Sequence, residues 1–390
     1  MDTRETILLE DRYQLTTYKK LKIAVQRGES CFVWDADGNE YLDFYGGHCV
    51  ALLGHSHPGV TRAIQAQAAE LLFYSNFVYS PVRARAAERL ARLAPEGMGT
   101  TFFCNSGTEA NETALKLARK ATGRPVVLST QGAFHGRTLG SLAVTWGDGY
   151  RLPYLDSLGP AEFVPFADAE AAVAALSGRT DIAAMILEPI QSMAGVYDAP
   201  PAYFAALREA CDRSGTLLIY DEVQTGVGRT GTFSISESLG VKPDLITLAK
   251  SLGNGVPVGA VLVSDALAAG VKTGDQGTTF GGGMLAMAAV EAVLIALEEE
   301  HLMERAAILE ARVREKVGPL VQSIRGKGAL LGLVLDRPAA PVLDALFERG
   351  VIAGSASDKN VVRIMPPLVT PDRAVDTFAE ALAAALAAAV

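Results

Sequence analysis

The apolar positions of this chain fall into two kinds of pattern that alternate along its middle. Short continuous apolar runs, "PVVLST" (125–130), "AAMILEP" (183–189), "TLLIYDE" (216–222), "DLITLAK" (244–250) and "GAVLVS" (259–264), are too short for helices and read as buried strands. Amphipathic stretches of helical period separate several of them. From about Gly99 to Ser264 the pattern therefore predicts an α/β sheet, mostly parallel and covered by helices on both faces. In such sheets ligands sit at the carboxyl ends of the strands.

Flanking segments carry other patterns. "CFVWDADGNEYLDF" (31–44) reads as a hairpin turning at its "DADG". Beyond the middle come helical "MLAMAAVEAVLIALEEE" (284–300), strand-like "GALLGLVLD" (328–336), helical "PVLDALFERG" (341–350), strand-like "NVVRIMPPL" (360–368) and an Ala-rich terminal helix. The expected division is a large domain over residues 51–285 and a smaller α/β domain built from both termini, 1–50 and 286–390. No internal repeat or low-complexity linker interrupts it.

Composition narrows the class of molecule. With 390 residues, 49% of them hydrophobic, the chain can bury a large core. Its formal net charge of −9 is spread among interleaved acids and bases, which leaves no basic stripe for nucleic acid and no polybasic patch for lipid. The cysteines Cys31, Cys49, Cys104 and Cys211 are far apart and form no C-x-x-C pair, so they read as reduced thiols suited to the cytoplasm. Acids interrupt the N-terminal "MDTRETILLEDRYQL", which excludes a signal peptide, and no apolar run approaches membrane-spanning length.

Three places carry candidate chemistry. In "CNSGTEANETALKLARK" (104–120), Ser106 and Glu109 fit a capping box, and backbone N–H groups at Gly107 and Thr108 open a helix where a phosphate could bind. A well-capped helix with no ligand is the plainer reading of the same residues. Asp221 and Glu222 end an apolar strand, where at least one carboxylate must find a donor or a cation inside the protein. The plainer reading is an aspartate that caps a helix; the alternative is a carboxylate placed to hold a ring nitrogen protonated. Lys250 ends the next apolar run. A lysine there either snorkels to solvent or, desolvated, loses its proton and forms a Schiff base. A phosphate cradle, an acid for a pyridine nitrogen and an imine-forming lysine are together what pyridoxal 5'-phosphate (PLP) requires.

The motifs "NSGTEANETALKLAR", "FHGRTLGSL", "LEPIQ", "DEVQTGVGRTG", "TLAKSLGNGVPVGA", "TTFGGG" and "VVRIMPPL" resemble those of the class III, or ω-, aminotransferases of PLP fold type I. Within that family they are most similar to the acetylornithine type, and the resemblance runs essentially end to end. It implies the following roles. Lys250 would bind the cofactor as an imine and then shuttle the substrate proton. Asp221 would pair with the pyridinium nitrogen, Gln224 would approach the ring hydroxyl, and Phe134 would stack on the ring with Val223 alongside. Gly107 and Thr108 would hold the phosphate, joined by Thr279 from the second subunit of a homodimer. Arg137 would bind the α-carboxylate of the amino donor, with Thr278 lining that pocket. Arg363 would bind the α-carboxylate of 2-oxoglutarate or glutamate, and Glu188 would pair with Arg363 whenever the amino donor occupies the site.

The reaction so implied moves the terminal amine of N-acetylornithine to 2-oxoglutarate, as in arginine biosynthesis. N-succinylornithine, ornithine, 4-aminobutyrate and carrier-linked lysine are alternative donors, and an aminomutase that moves the amine within one molecule is an alternative reaction. The chain departs from the family pattern where "EPIQGEGG" becomes "EPIQSMAG" (Ser192, Met193, Ala194), where "TFGGNP" becomes "TFGGGM" (Gly283, Met284), and at His48, a position that discriminates substrates. None of these removes a cofactor contact; all bear on the donor. The five histidines lack metal-ligand spacing, and "GHSHP" reads as a structural turn.

Overall fold

The computed structural model describes residues 1–389. The N-terminal segment supplies β1 (Val25–Glu29), β2 (Phe32–Asp35) and β3 (Glu40–Asp43), an antiparallel meander. Its second turn forms at "DADG" as expected, where Asp35 Oδ1 accepts from the backbone N–H groups of Asp37 and Asn39. The middle of the chain supplies β4 (Thr100–Cys104), β5 (Val126–Thr130), β6 (Ala161–Val164), β7 (Ile182–Leu187), β8 (Leu217–Asp221), β9 (Leu245–Leu248) and β10 (Gly259–Val263). The C-terminal part adds β11 (Ser323–Lys327), β12 (Leu330–Val334), β13 (Val351–Ile352), β14 (Gly354–Ser355) and β15 (Val361–Ile364).

The seven middle strands form one sheet in the order β4-β10-β9-β8-β7-β5-β6, in which only β10 runs against its neighbours. Alternation along β7 shows how both faces are covered. Ala184 and Ile186 join the helix Gly107–Thr122 through Ala110, Ala114, Leu115 and Ala118. Met185 and Leu187 point the other way, toward Phe204, Leu207 and Cys211 of the helix Pro201–Ser214. Two strands of this sheet, β4 and β6, were not among the apolar runs. They lie at its two edges and are only partly buried, so their sequences "TTFFC" and "AEFV" mix polar with apolar positions.

Two four-stranded sheets complete the molecule, β1-β2-β3-β13 and β11-β12-β15-β14. Strand β13 pairs in parallel with β3, so a C-terminal residue pair, Val351 and Ile352, finishes the N-terminal meander. Among the described residues no helix is long and apolar enough to cross a membrane.

Candidate active site

A cavity of about 350 Å³ opens at the carboxyl ends of β8 and β9, against the start of the helix Gly107–Thr122. Lys250 follows β9 as the first residue of the 3-10 turn Lys250–Gly253, with its backbone in the left-handed region at φ 41°. That conformation is unusual for a residue with a side chain and aims the half-buried lysine into the cavity it lines. Nζ has no hydrogen-bond partner among the described residues. Burial lowers its pKa against the opposing pull of Asp221 and Glu188, which makes it a readier base and nucleophile.

Asp221 and Glu222 separate at the end of β8. Asp221 turns to the cavity, where Oδ2 accepts from His135 Nδ1 at 2.8 Å and Asn111 Nδ2 at 2.8 Å, and Oδ1 from the Val223 N–H at 3.1 Å. Burial alone would raise this carboxyl, but the His135, Asn111 and Val223 donors outweigh it and hold Asp221 below its ordinary pKa. Glu222 turns away. It accepts from Ser234 Oγ and the Ile235 N–H at the start of the helix Ile235–Leu239, and burial pushes it up to about 7. Among the described residues the aspartate caps no helix; Ser234 is the N-cap of Ile235–Leu239, and Glu222 braces it from the end of β8.

Ser106 caps the helix Gly107–Thr122 by accepting from the Glu109 N–H. The expected capping box forms with a shift of one residue, because Glu109 Oε2 reaches back to the backbone and side-chain nitrogens of Asn105 rather than to Ser106. Among the described residues the N–H groups of Gly107 and Thr108 have no acceptor, and both residues line the cavity. A Cβ on Gly107 would lie 2.9 Å from both Val223 methyls, so glycine lets Val223 close over the helix start.

Phe134 also lines the cavity, with its ring edge-on to Tyr150 at 5.9 Å. Its N–H donates to Glu188 Oε1 at 2.8 Å, and burial pushes Glu188 up to about 7. Among the described residues Glu188 makes no ion pair with Arg363. Arg363 is buried, and it donates from Nε to the Ser355 carbonyl at 2.5 Å, from Nη1 to Ser192 Oγ at 3.1 Å and from Nη2 to Tyr45 Oη at 3.0 Å. Ser192 in turn donates to Gln224 Oε1 at 3.0 Å, while Tyr45 meets His48 Nδ1. Burial beside Lys250 and Arg363 lowers His48 to about 4.

Arg137 is exposed and lies over the Tyr150 ring at 4.9 Å, with no ion pair among the described residues; it does not line the cavity, nor do Arg363, His48, Thr278 and Thr279. Thr278 Oγ1 accepts from Asn105 Nδ2 at 3.2 Å, whereas Thr279 is exposed. Of the other histidines, His55 bonds Asp43 and His57 bonds Glu300, which ties the "GHSHP" turn to its surroundings.

Asn111, His135, Tyr45 and Thr247 were not singled out from sequence. Asn111 bridges Asp221, the His135 carbonyl and Thr247 Oγ1 from within the helix Gly107–Thr122. The available signal was an asparagine one helical turn beyond Gly107, on the same face as Ala110 and Ala114.

These residues fit PLP. Two unpartnered amides at a helix start suit a phosphate, an ionised and anchored carboxylate suits a pyridinium, and an unpaired lysine of lowered pKa suits an aldehyde. The sequence matches aminotransferase class III over residues 13–386. It is 41% identical to an acetylornithine aminotransferase of Methanopyrus kandleri, covering 100% of each chain, and 43% identical to one of Streptomyces coelicolor, covering 96% of this chain and 94% of that one. Among solved structures it superposes on an ornithine aminotransferase of Toxoplasma gondii with PLP at its active site (TM-score 0.90, 30% identity, 99% of this chain and 94% of that one). An acetylornithine aminotransferase of Elizabethkingia anophelis is similarly close (TM-score 0.87, 29% identity, 100% of each chain). A full-length match in sequence and fold, around a cavity equipped in this way, makes the chain a member of the class III aminotransferases, PLP-dependent enzymes of fold type I.

Proposed function

We propose that this enzyme transfers the terminal amino group of N-acetylornithine to 2-oxoglutarate, yielding the semialdehyde and glutamate, as a step of arginine biosynthesis. The observation that carries this reading is the placing of Lys250, Asp221 and the amides of Gly107 and Thr108 around one cavity, in a chain 41% identical end to end to a named acetylornithine aminotransferase.

Bound PLP supplies an electron sink for the carbon that bears the amine. Lys250 Nζ, its pKa lowered by burial, takes and returns the proton at that carbon. Asp221, fixed by Asn111 and His135, presents an anion to the ring nitrogen. Gly107 and Thr108 hold the phosphate, and Phe134 and Val223 cover the ring and exclude water. Gln224 faces the ring hydroxyl. Arg137 takes the donor carboxylate, with Thr278 contributing to that pocket; buried Arg363 takes the carboxylate of 2-oxoglutarate, with Glu188 and His48 bearing on substrate choice.

The same proposal includes a homodimer in which Thr279 reaches the partner's phosphate. An exposed apolar group supports it: Phe77 is 92% exposed, Tyr79 fully so and Phe280 65%, close in sequence to exposed Thr279. Division of the chain at residues 50 and 285 belongs to it as well, supported by β13 completing the N-terminal sheet. Four buried unpaired cysteines favour a reducing cytoplasm.

The test is a titration of the PLP-loaded protein, without keto acid, followed by the visible absorption of the lysine-bound cofactor. N-acetylornithine is expected to bleach the band at the lowest concentration, and 2-oxoglutarate to restore it. Bleaching by ornithine at lower concentration would move the assignment toward the ornithine enzymes to which the fold is also similar. Turnover of an amino-aldehyde with no keto acid would indicate the aminomutase.

A further inference from the structure

Arg363 is buried without any carboxylate partner among the described residues. Its guanidinium carries five N–H donors and no acceptor, so every hydrogen bond around it has a forced direction. Ser192 Oγ can only accept from Nη1, and its single proton then goes to Gln224 Oε1. Tyr45 Oη accepts from Nη2 and is itself paired with His48 Nδ1. Three donors are spent, on Ser355, Ser192 and Tyr45, which leaves one N–H on each terminal nitrogen, the end-on fork that a carboxylate accepts.

With Oε1 taken by Ser192, Gln224 must offer its NH₂ to the cavity that it lines. Ser192 is fully buried, and the turn Ser192–Gly195 is tied to the 355–358 segment by the Ser357 and Asp358 N–H groups donating to the Met193 and Ala194 carbonyls. Its hydroxyl is thus held in place from both sides. The usual family pattern has glycine here, which offers no side-chain atom to either Arg363 or Gln224.

We infer that Ser192 is a positioning residue that sets Arg363 in a carboxylate-ready pose and links it to the amide of Gln224. This rests on the reading of Arg363 as the site for the 2-oxoglutarate carboxylate.

Glutarate, which has both carboxylates of 2-oxoglutarate and no reactive carbonyl, is titrated calorimetrically into the PLP-loaded enzyme and its Ser192→Ala and Ser192→Cys variants. Cysteine keeps the volume and loses the strong hydrogen bonds. Both variants are expected to raise the Kd of glutarate roughly tenfold, the size of one lost charge-assisted bond, with the KM of the amino donor changed less than about twofold. Unchanged glutarate binding in both, or an equal loss for glutarate and donor, overturns the inference. So does a Cys variant that behaves as wild type while Ala does not, since packing alone then explains the site. Arg363→Lys separates the two levels: if it leaves the glutarate Kd unchanged, the reading of Arg363 fails and takes this inference with it, whereas a large rise beside a flat Ser192 series removes only the inference.

Discussion

The two arginines assigned to carboxylates occupy opposite surroundings. Arg363 is buried in β15 with three of its donors already engaged, while Arg137 lies exposed over the Tyr150 ring with no ion pair among the described residues. A buried and preset guanidinium gives a strong, shape-selective contact; an exposed one is screened by water and salt and adapts to ligands of different length. A site that must take one fixed keto acid and a longer acylated donor has use for both.

The largest effect comes from the group both substrates share. Lys250→Ala should lower kcat at least ~10⁴-fold in either direction of the reaction, since imine formation and proton movement lose the same atom. Residual turnover above about 1% of wild type in a steady-state assay would contradict the assignment. Next in size is Arg363→Ala, which should raise the KM for 2-oxoglutarate by the 10²-fold or more expected for a desolvated charge contact, roughly 3 kcal/mol. An equal rise for the amino donor would erase the distinction between the arginines.

A smaller effect concerns Glu188. Burial raises it to about 7, so the folded state holds its proton over a range in which the unfolded chain has released it. The sign follows: stability falls as pH rises from about 4.5 to 7, and the loss is complete above that window. Denaturant midpoints of Glu188→Gln and wild type should therefore diverge as pH rises, by on the order of 2 kcal/mol at pH 8, and a constant gap would refute the buried, proton-holding state. Last comes Arg137→Ala, expected to raise the donor KM only about tenfold and to lose its effect in high salt. Steady-state KM values at two ionic strengths check it.

Legibility followed burial on one element. The strands β5, β7, β8, β9 and β10 were readable because both their faces are covered and the runs are continuously apolar, whereas edge strands β4 and β6 were not. Reversal of β10 leaves no mark in its own residues. Lys250, Asp221, Gly107 and Thr108 each sit at the end of a periodic run, where chemistry stands out against the pattern. Asn111 and His135 sit inside buried stretches, and their polar contacts come from partners distant in sequence, so nothing local announced them.

Lys250 adopts a backbone conformation that glycine would occupy more comfortably, and it places an ionisable amine in a desolvated site that lowers its pKa. Evolution toward heat resistance alone would therefore press on this position first, and Lys250→Gly should yield a protein that outlasts its parent on heating while transferring no amine. The residue persists against its own fold, and selection for durability without selection for turnover would be expected to discard it.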